Sequence, residues 1–231
     1  MIHKHIFVHA KPGMSEHEFF TYWKDVHAVK YGRQIPQVRG YLINTHVPFG
    51  DEPADVPFQG VAEVWIENAE DELAFAQSKE YLQGSRIDEP NFLAWWAMFA
   101  LDTTDHVVIA PPAPPRSGVK IVAVTKRKPG MSVDDFRAYG RDVHAPKVAN
   151  LPGLRGYVQC YVNDGHYAVG ESLLDSVGLL WFDSTDAIAQ ALQSDVFSTT
   201  VAPDIAAFAD PRYFRWIVTE ESWVVPLGGA A

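Results

Sequence analysis

His27 and His144 are the residues of this chain best suited to proton chemistry, because each sits in an Asp-Val-His-Ala motif and the two motifs lie 117 positions apart. An imidazole titrates near neutral pH, so a partly buried one can take a proton from a bound molecule or return it. The same aromatic residues precede both: Phe19 and Tyr22 before His27, Phe136 and Tyr139 before His144. On a helix, Phe19, Trp23 and His27 share one stripe, and the second stripe is Phe136, Gly140 and His144. Asp25 and Asp142, two residues before the histidines, stand about 200° round the helix and should not orient the imidazole of their own helix. The plain alternative to catalysis is a core histidine satisfied by a backbone carbonyl, which a duplication copies just as faithfully.

The elements that position these residues are duplicated too. Lys11-Pro12-Gly13-Met14-Ser15 recurs as Lys128-Pro129-Gly130-Met131-Ser132, and with the offset reduced to 116, Arg39-Gly40-Tyr41 matches Arg155-Gly156-Tyr157, Trp65 matches Trp181 and Phe92 matches Phe208. A period this long selects two small domains. A Pro-rich linker at 111–118 divides unit 1 (1–110) from unit 2 (119–231). Each half reads as an opening strand, a Lys-Pro-Gly-Met turn and a helix N-capped by Ser15 or Ser132. Glu18 completes a capping box, and Asp135 is its weaker analogue. The first helices run to about Tyr31 and, kinked at Pro146, to about Ala149. Two strands, a second helix (Asn68 to Gln77; Ser184 to Gln193) and a closing strand (Trp95 to Ile109; Tyr213 to Val225) follow. The order β-α-β-β-α-β is ferredoxin-like. The fold class expected is α+β: two such units in tandem, their sheets packed face to face as an intramolecular dimeric α+β barrel.

Composition narrows the partners. Of 231 residues, 47% are hydrophobic and 13% aromatic, ample for a core and an apolar pocket. Nineteen basic residues against 29 acidic leave a formal charge of −10, which argues against nucleic acid and anionic membrane surfaces. No apolar run reaches the roughly 20 residues of a membrane span, and the first residues do not read as a signal peptide. The single cysteine, Cys160, suits a reducing compartment. The expectation is a cytoplasmic protein, a monomer with internal pseudo-two-fold symmetry or a homodimer.

The Lys-Pro-Gly-Met-Ser turn, the Phe four residues on, Asp-Val-His-Ala and Leu151-Pro152-Gly153-Leu154-Arg155-Gly156-Tyr157 together resemble the EthD family of dimeric α+β barrel proteins, in both halves. His144-Ala145-Pro146 keeps the family's His-Ala-Pro setting. His27-Ala28-Val29 departs from it, and Trp23 stands where the second copy has Gly140, so the two pockets should differ in volume. The resemblance implies a pocket between sheet and first helix that works without a cofactor, in proteins that act as cyclases, decarboxylases, dehydratases or cofactor-independent oxygenases. On that basis His144 and His27 are the candidate acid/base residues. Tyr22, Tyr139, Tyr41 and Tyr157 are candidate donors to a substrate carbonyl, with core packing as their alternative. Trp23, Phe19 and Phe136 would shape an aromatic pocket.

His3, His5 and His9 alternate onto one strand face, a spacing that a metal can use. Their counterparts Lys120, Val122 and Lys126 offer no such set, and a solvated or edge-facing strand is the alternative. The leading functional expectation is a cofactor-independent lyase, cyclase or decarboxylase acting on an aromatic or polyketide-like small molecule. A non-catalytic small-molecule binder or stress-associated barrel, and a cofactor-free oxygenase, are the rivals.

Overall fold

The computed structural model describes residues 1–51, 56–113, 117–168 and 170–228; residues 114–116 of the Pro-rich linker lie outside the described residues. The first copy contains β1 (Ile2–Val8), helix α1, β2 (Val38–His46), β3 (Gly60–Ile66), α2 (Ala69–Gln77), helix α3 and β4 (Phe99–Ile109). The second contains β5 (Val119–Thr125), helix α4, β6 (Leu154–Val162), β7 (Ser176–Phe182), α5 (Thr185–Gln193), helix α6 and β8 (Arg215–Val225). Ladders β1–β3 and β2–β3 are antiparallel, as are β5–β7, β6–β7, β5–β8 and β4–β6. The strand order is β1-β3-β2-β8-β5-β7-β6-β4, a closed barrel. This is the α+β, tandem ferredoxin-like class that the repeat implies. The compact units are residues 1–46, 58–102 and 221–231, and residues 47–57 and 103–220.

Four of the helices are built in pieces. Helix α1 is an α segment Glu16–Tyr22, a π turn Trp23–His27 and a last α turn Ala28–Lys30. Helix α4 repeats this as Val133–Tyr139, Gly140–His144 and Ala145–Val148. Helix α3 comprises a π turn Tyr81–Ser85, an α turn Arg86–Asp88 and a 3-10 turn Glu89–Asn91. Helix α6 comprises Phe197–Val201 and Ala202–Phe208. Both first helices start as their sequences dictate. Ser15 accepts from the Glu18 N–H while Glu18 reaches back to the Ser15 N–H at 2.9 Å. Asp135, one methylene shorter, is bonded by the Ser132 hydroxyl at 2.7 Å instead. Such a cap is worth about 1 kcal/mol. The preceding turns need Gly13 and Gly130, both at φ 86°, a region closed to most side chains. Pro146 lies in the first turn of the last α segment of α4, directly after the π turn. The π turn precedes it and is present in α1 as well, so the proline is not its cause.

Alternation along β1 splits its side chains between two faces. Lys4, Ile6 and Val8 face the cavity beneath the helices, while His3, His5 and Phe7 are buried on the other side. The solvated face offered as the alternative for these histidines is therefore overturned. His3 stacks on Trp65 at 4.2 Å and meets Glu63 at 3.0 Å, and Asn44 donates to the same carboxylate at 2.7 Å. A buried carboxylate needs such donors to offset its lost hydration. His9 is half-buried.

Candidate active site

Helix α4 carries Tyr139 and His144, and helix α6 carries Asp204. Tyr139 and His144 are five residues apart, which on a regular α-helix is about 140° round the axis. The π turn closes i to i+5, with the Ala145 N–H on the Gly140 carbonyl, and so brings both side chains to one side. There the Tyr139 hydroxyl donates to Asp204 Oδ1 at 2.7 Å, and His144 Nδ1 lies 2.7 Å from Asp204 Oδ2. Lys147 pairs with the same carboxylate. The imidazole packs on Phe208, ring centroids 4.7 Å apart.

The first copy repeats the constellation. Tyr22 donates to Asp88 Oδ1 at 2.8 Å, His27 Nδ1 lies 2.9 Å from Asp88 Oδ2, and His27 packs on Phe92 at 4.7 Å. Asn91 takes the place of the lysine, donating to Asp88 at 3.0 Å. The histidines are thus held by carboxylates, not backbone carbonyls. Asp25 and Asp142, next to them in sequence, are exposed.

Electrostatics settle the tautomer. Burial alone would raise the carboxyl of Asp204, but hydrogen bonds from Lys147, Tyr139 and His144 outweigh it and hold it below the usual carboxylate range. Asp88 is held down in the same way by Asn91, His27 and Tyr22. An ionised carboxylate only accepts, so Nδ1 carries the proton toward it. Burial pushes both imidazoles below the ordinary value, against the opposing pull of their aspartates, and Lys147 adds to the fall at His144. At neutral pH each ring is therefore uncharged, with the lone pair on Nε2: a base.

Both histidines line cavities. In the second unit, about 940 Å³ of space, counting its open mouth, is bordered by His144, Phe136, Tyr157, Gln159, Tyr161 and Trp216 among others. Three of its polar side chains form one chain of bonds. The Gln159 amide donates to the Gly140 carbonyl at 3.0 Å and to the Tyr157 hydroxyl at 2.9 Å, and Tyr161 donates to Gln159 Oε1 at 2.9 Å. The buried Tyr157 hydroxyl accepts here and retains its own proton to give. In the first unit, about 830 Å³ is bordered by His27, Trp23, Tyr41, Phe92, Lys4 and Glu89 among others. There Trp23 stands where the second copy has Gly140, and its Nε1 donates to the Tyr41 hydroxyl at 2.9 Å. A Cβ on Gly140 would stand 2.3 Å from the Tyr161 oxygen, and one on Gly60 would stand 2.5 Å from the Trp23 ring. Gly60 and Ser176 occupy equivalent positions. Large-on-small is thus arranged oppositely in the two copies.

Of the residues singled out from sequence, His144, Phe136 and Tyr157 meet at one cavity, and His27, Trp23 and Tyr41 at the other. Tyr22 and Tyr139 have their hydroxyls committed to the aspartates. Phe19 is fully buried and stacks on Trp23 at 5.5 Å. Asp88, Asp204, Gln159 and Tyr161 were not anticipated. The repeat contained a signal for the aspartates, which are 116 positions apart and stand four before Phe92 and Phe208.

A tandem ferredoxin-like barrel protein with an aspartate-held histidine in each copy is the class that fold and site define. The sequence pattern of the EthD domain matches residues 11–94 and 128–212, and the chain belongs to the EthD domain family. It is 29% identical over 115 residues to the dehydratase ustZ of Ustilaginoidea virens, covering 44% of this chain and 79% of that protein. In fold it is similar to an anthrone oxidase-like protein (TM-score 0.63, 13% identity, 100% of this chain and 95% of that one). It is also similar to a variant of the chlorite dismutase of Candidatus Nitrospira defluvii (TM-score 0.51, 8% identity, 98% and 92%). At such identities the likeness is one of fold. No helix among the described residues is long and apolar enough to cross a membrane.

Proposed function

We propose that this chain is a lyase of the dehydrating kind, acting in its second unit on an aromatic or polyketide-like small molecule that carries a carbonyl. The observation that carries the reading is the Asp204-held, neutral His144 at the wall of an apolar cavity. Nε2 removes a proton from the carbon beside the carbonyl. Tyr157 donates to the oxygen on which negative charge develops, the electrostatic assistance that a water-poor site makes effective. The enolate expels the β-hydroxyl, which takes the proton back from the imidazolium and leaves as water, so the histidine ends neutral. Asp204 holds the tautomer and stabilises the imidazolium between the two steps. The dehydratase relative supports this reaction type.

The test is turnover of aromatic β-hydroxy ketones, followed by absorbance of the conjugated enone. Wild-type chain should form the enone and His144→Ala should not; unchanged turnover in His144→Ala overturns the assignment. The same deprotonation also opens a cofactor-free oxygenation, the second reading, which the anthrone oxidase-like protein of similar fold favours. Oxygen uptake with substrate distinguishes it.

A further inference from the structure

The two cavities are built on equivalent positions, and at three of them the walls differ in kind. Lys4, Glu72 and Glu89 line the first, and their counterparts in the second are Ile121, Ile188 and Ile205. Ionisable groups at a cavity wall cost desolvation that isoleucine does not. The second copy demonstrates that isoleucine fits this frame, so the fold does not require the charges.

Their pairing indicates what they can receive. Lys4 Nζ bonds Glu72 at 2.7 Å and also pairs with Asp102, so it has no charge to spare for a bound anion. Glu89, with a side chain 9% exposed, uses Oε2 for Arg86, and its Oε1 has no partner among the described residues. The Glu89 charge is felt by the hydroxyls of Tyr41 and Tyr81 on the same wall. The Tyr41 oxygen accepts one bond from Trp23 and keeps a lone pair. Lys4 is shared between Glu72 and Asp102, while Glu89 is paired with Arg86. Trp23, Phe75, Tyr81 and Phe92 belong to the same lining, and such ring faces attract a cation.

We propose that the first unit's cavity is a second binding site, for a small aromatic amine whose ammonium is held by Glu89 and Tyr41 and whose ring lies among Trp23, Phe75 and Phe92. Burial raises the Glu89 carboxyl above its ordinary value, the condition that an incoming ammonium relieves. The site is independent of the reaction assigned to His144.

The experiment is calorimetric titration of the full chain at neutral pH with 2-phenylethylamine, 2-phenylethanol and phenylacetate. The amine should bind at least about tenfold more tightly than the alcohol, and phenylacetate more weakly than either. Glu89→Gln should remove that advantage, Glu89→Asp should keep part of it, and His144→Ala should leave it intact. Equal or tighter binding of the alcohol or the acid overturns the proposal, as does absence of amine binding or an unchanged amine affinity in Glu89→Gln. The ranking of the three probes on the wild-type chain decides the matter even where a variant does not fold.

Discussion

Trp23 and Gly140 occupy the same turn of the same helix in the two copies, and the cavities behind them have diverged. The histidine, its aspartate and the tyrosine on that aspartate are retained twice. What the second copy adds is a Gln159 network and apolar walls. What the first adds is the Trp23 indole and ionisable walls. The constellation that positions a base is thus separable from the lining that chooses a ligand: its histidine, aspartate and tyrosine are kept, with only Asn91 for Lys147 exchanged beside them, while the lining differs in kind.

The largest expected effect separates the histidines. His144→Ala should lower kcat/KM for the dehydration by about 10²–10⁴-fold, the usual worth of a general base, while His27→Ala should leave it within about threefold. Equal losses would mean that the copies are functionally equivalent after all. Asp204→Asn comes next, because an amide can offer N–H to Nδ1 and favour the tautomer with its proton on Nε2. A loss of about a hundredfold or more in kcat is expected, against little change for Asp88→Asn.

A pH profile sharpens the comparison further. The lowered His144 should make kcat/KM level at neutral pH and fall about tenfold per unit below an inflection under about 6.5. Stability follows the same sign. Folded His144 and Asp204 both hold protons less tightly than they would unfolded, so acid favours unfolding, first below about pH 6.5 and again below about pH 3.9. A thermal melt that strengthens on acidification would contradict both assignments. The smallest effect is packing. Gly60→Ser must move the Trp23 ring, at about 1–3 kcal/mol by chemical denaturation, whereas Ser176→Gly at the equivalent position should cost only about 0.5–1 kcal/mol.

Much of this architecture was legible in the repeat. Self-alignment located seven strands within a residue or two, because the β-branched runs and the Lys-Pro-Gly-Met turns recur in register; the closing strand expected from Trp95 starts only at Phe99, after a 3-10 turn at Trp95–Ala97. Phe136, Tyr157 and His144 were legible as pocket residues because their types are retained in both copies. Asp204 and Asp88 were missed because α3 and α6 begin with a π turn, whose period matches neither helix nor strand templates. The same irregularity hid the pairing of Tyr139 with His144: at five residues' spacing an α-helix would keep them apart. Gln159 and Tyr161 were missed for a different reason. Their types are not repeated, since Ile43 and Thr45 stand at these positions in the first copy, so repetition does not mark them.

The encoding of both cavities in one polypeptide also bears on inheritance. In a protein assembled from two identical chains, one codon change alters both pockets at once, so a mutation that suits one ligand is imposed on the other. Here Trp23 and Gly140 are separate codons. Each cavity is free to drift, specialise or decay while its sister continues to work, and the oppositely placed pairs Trp23–Gly60 and Gly140–Tyr161 are the mark of that freedom.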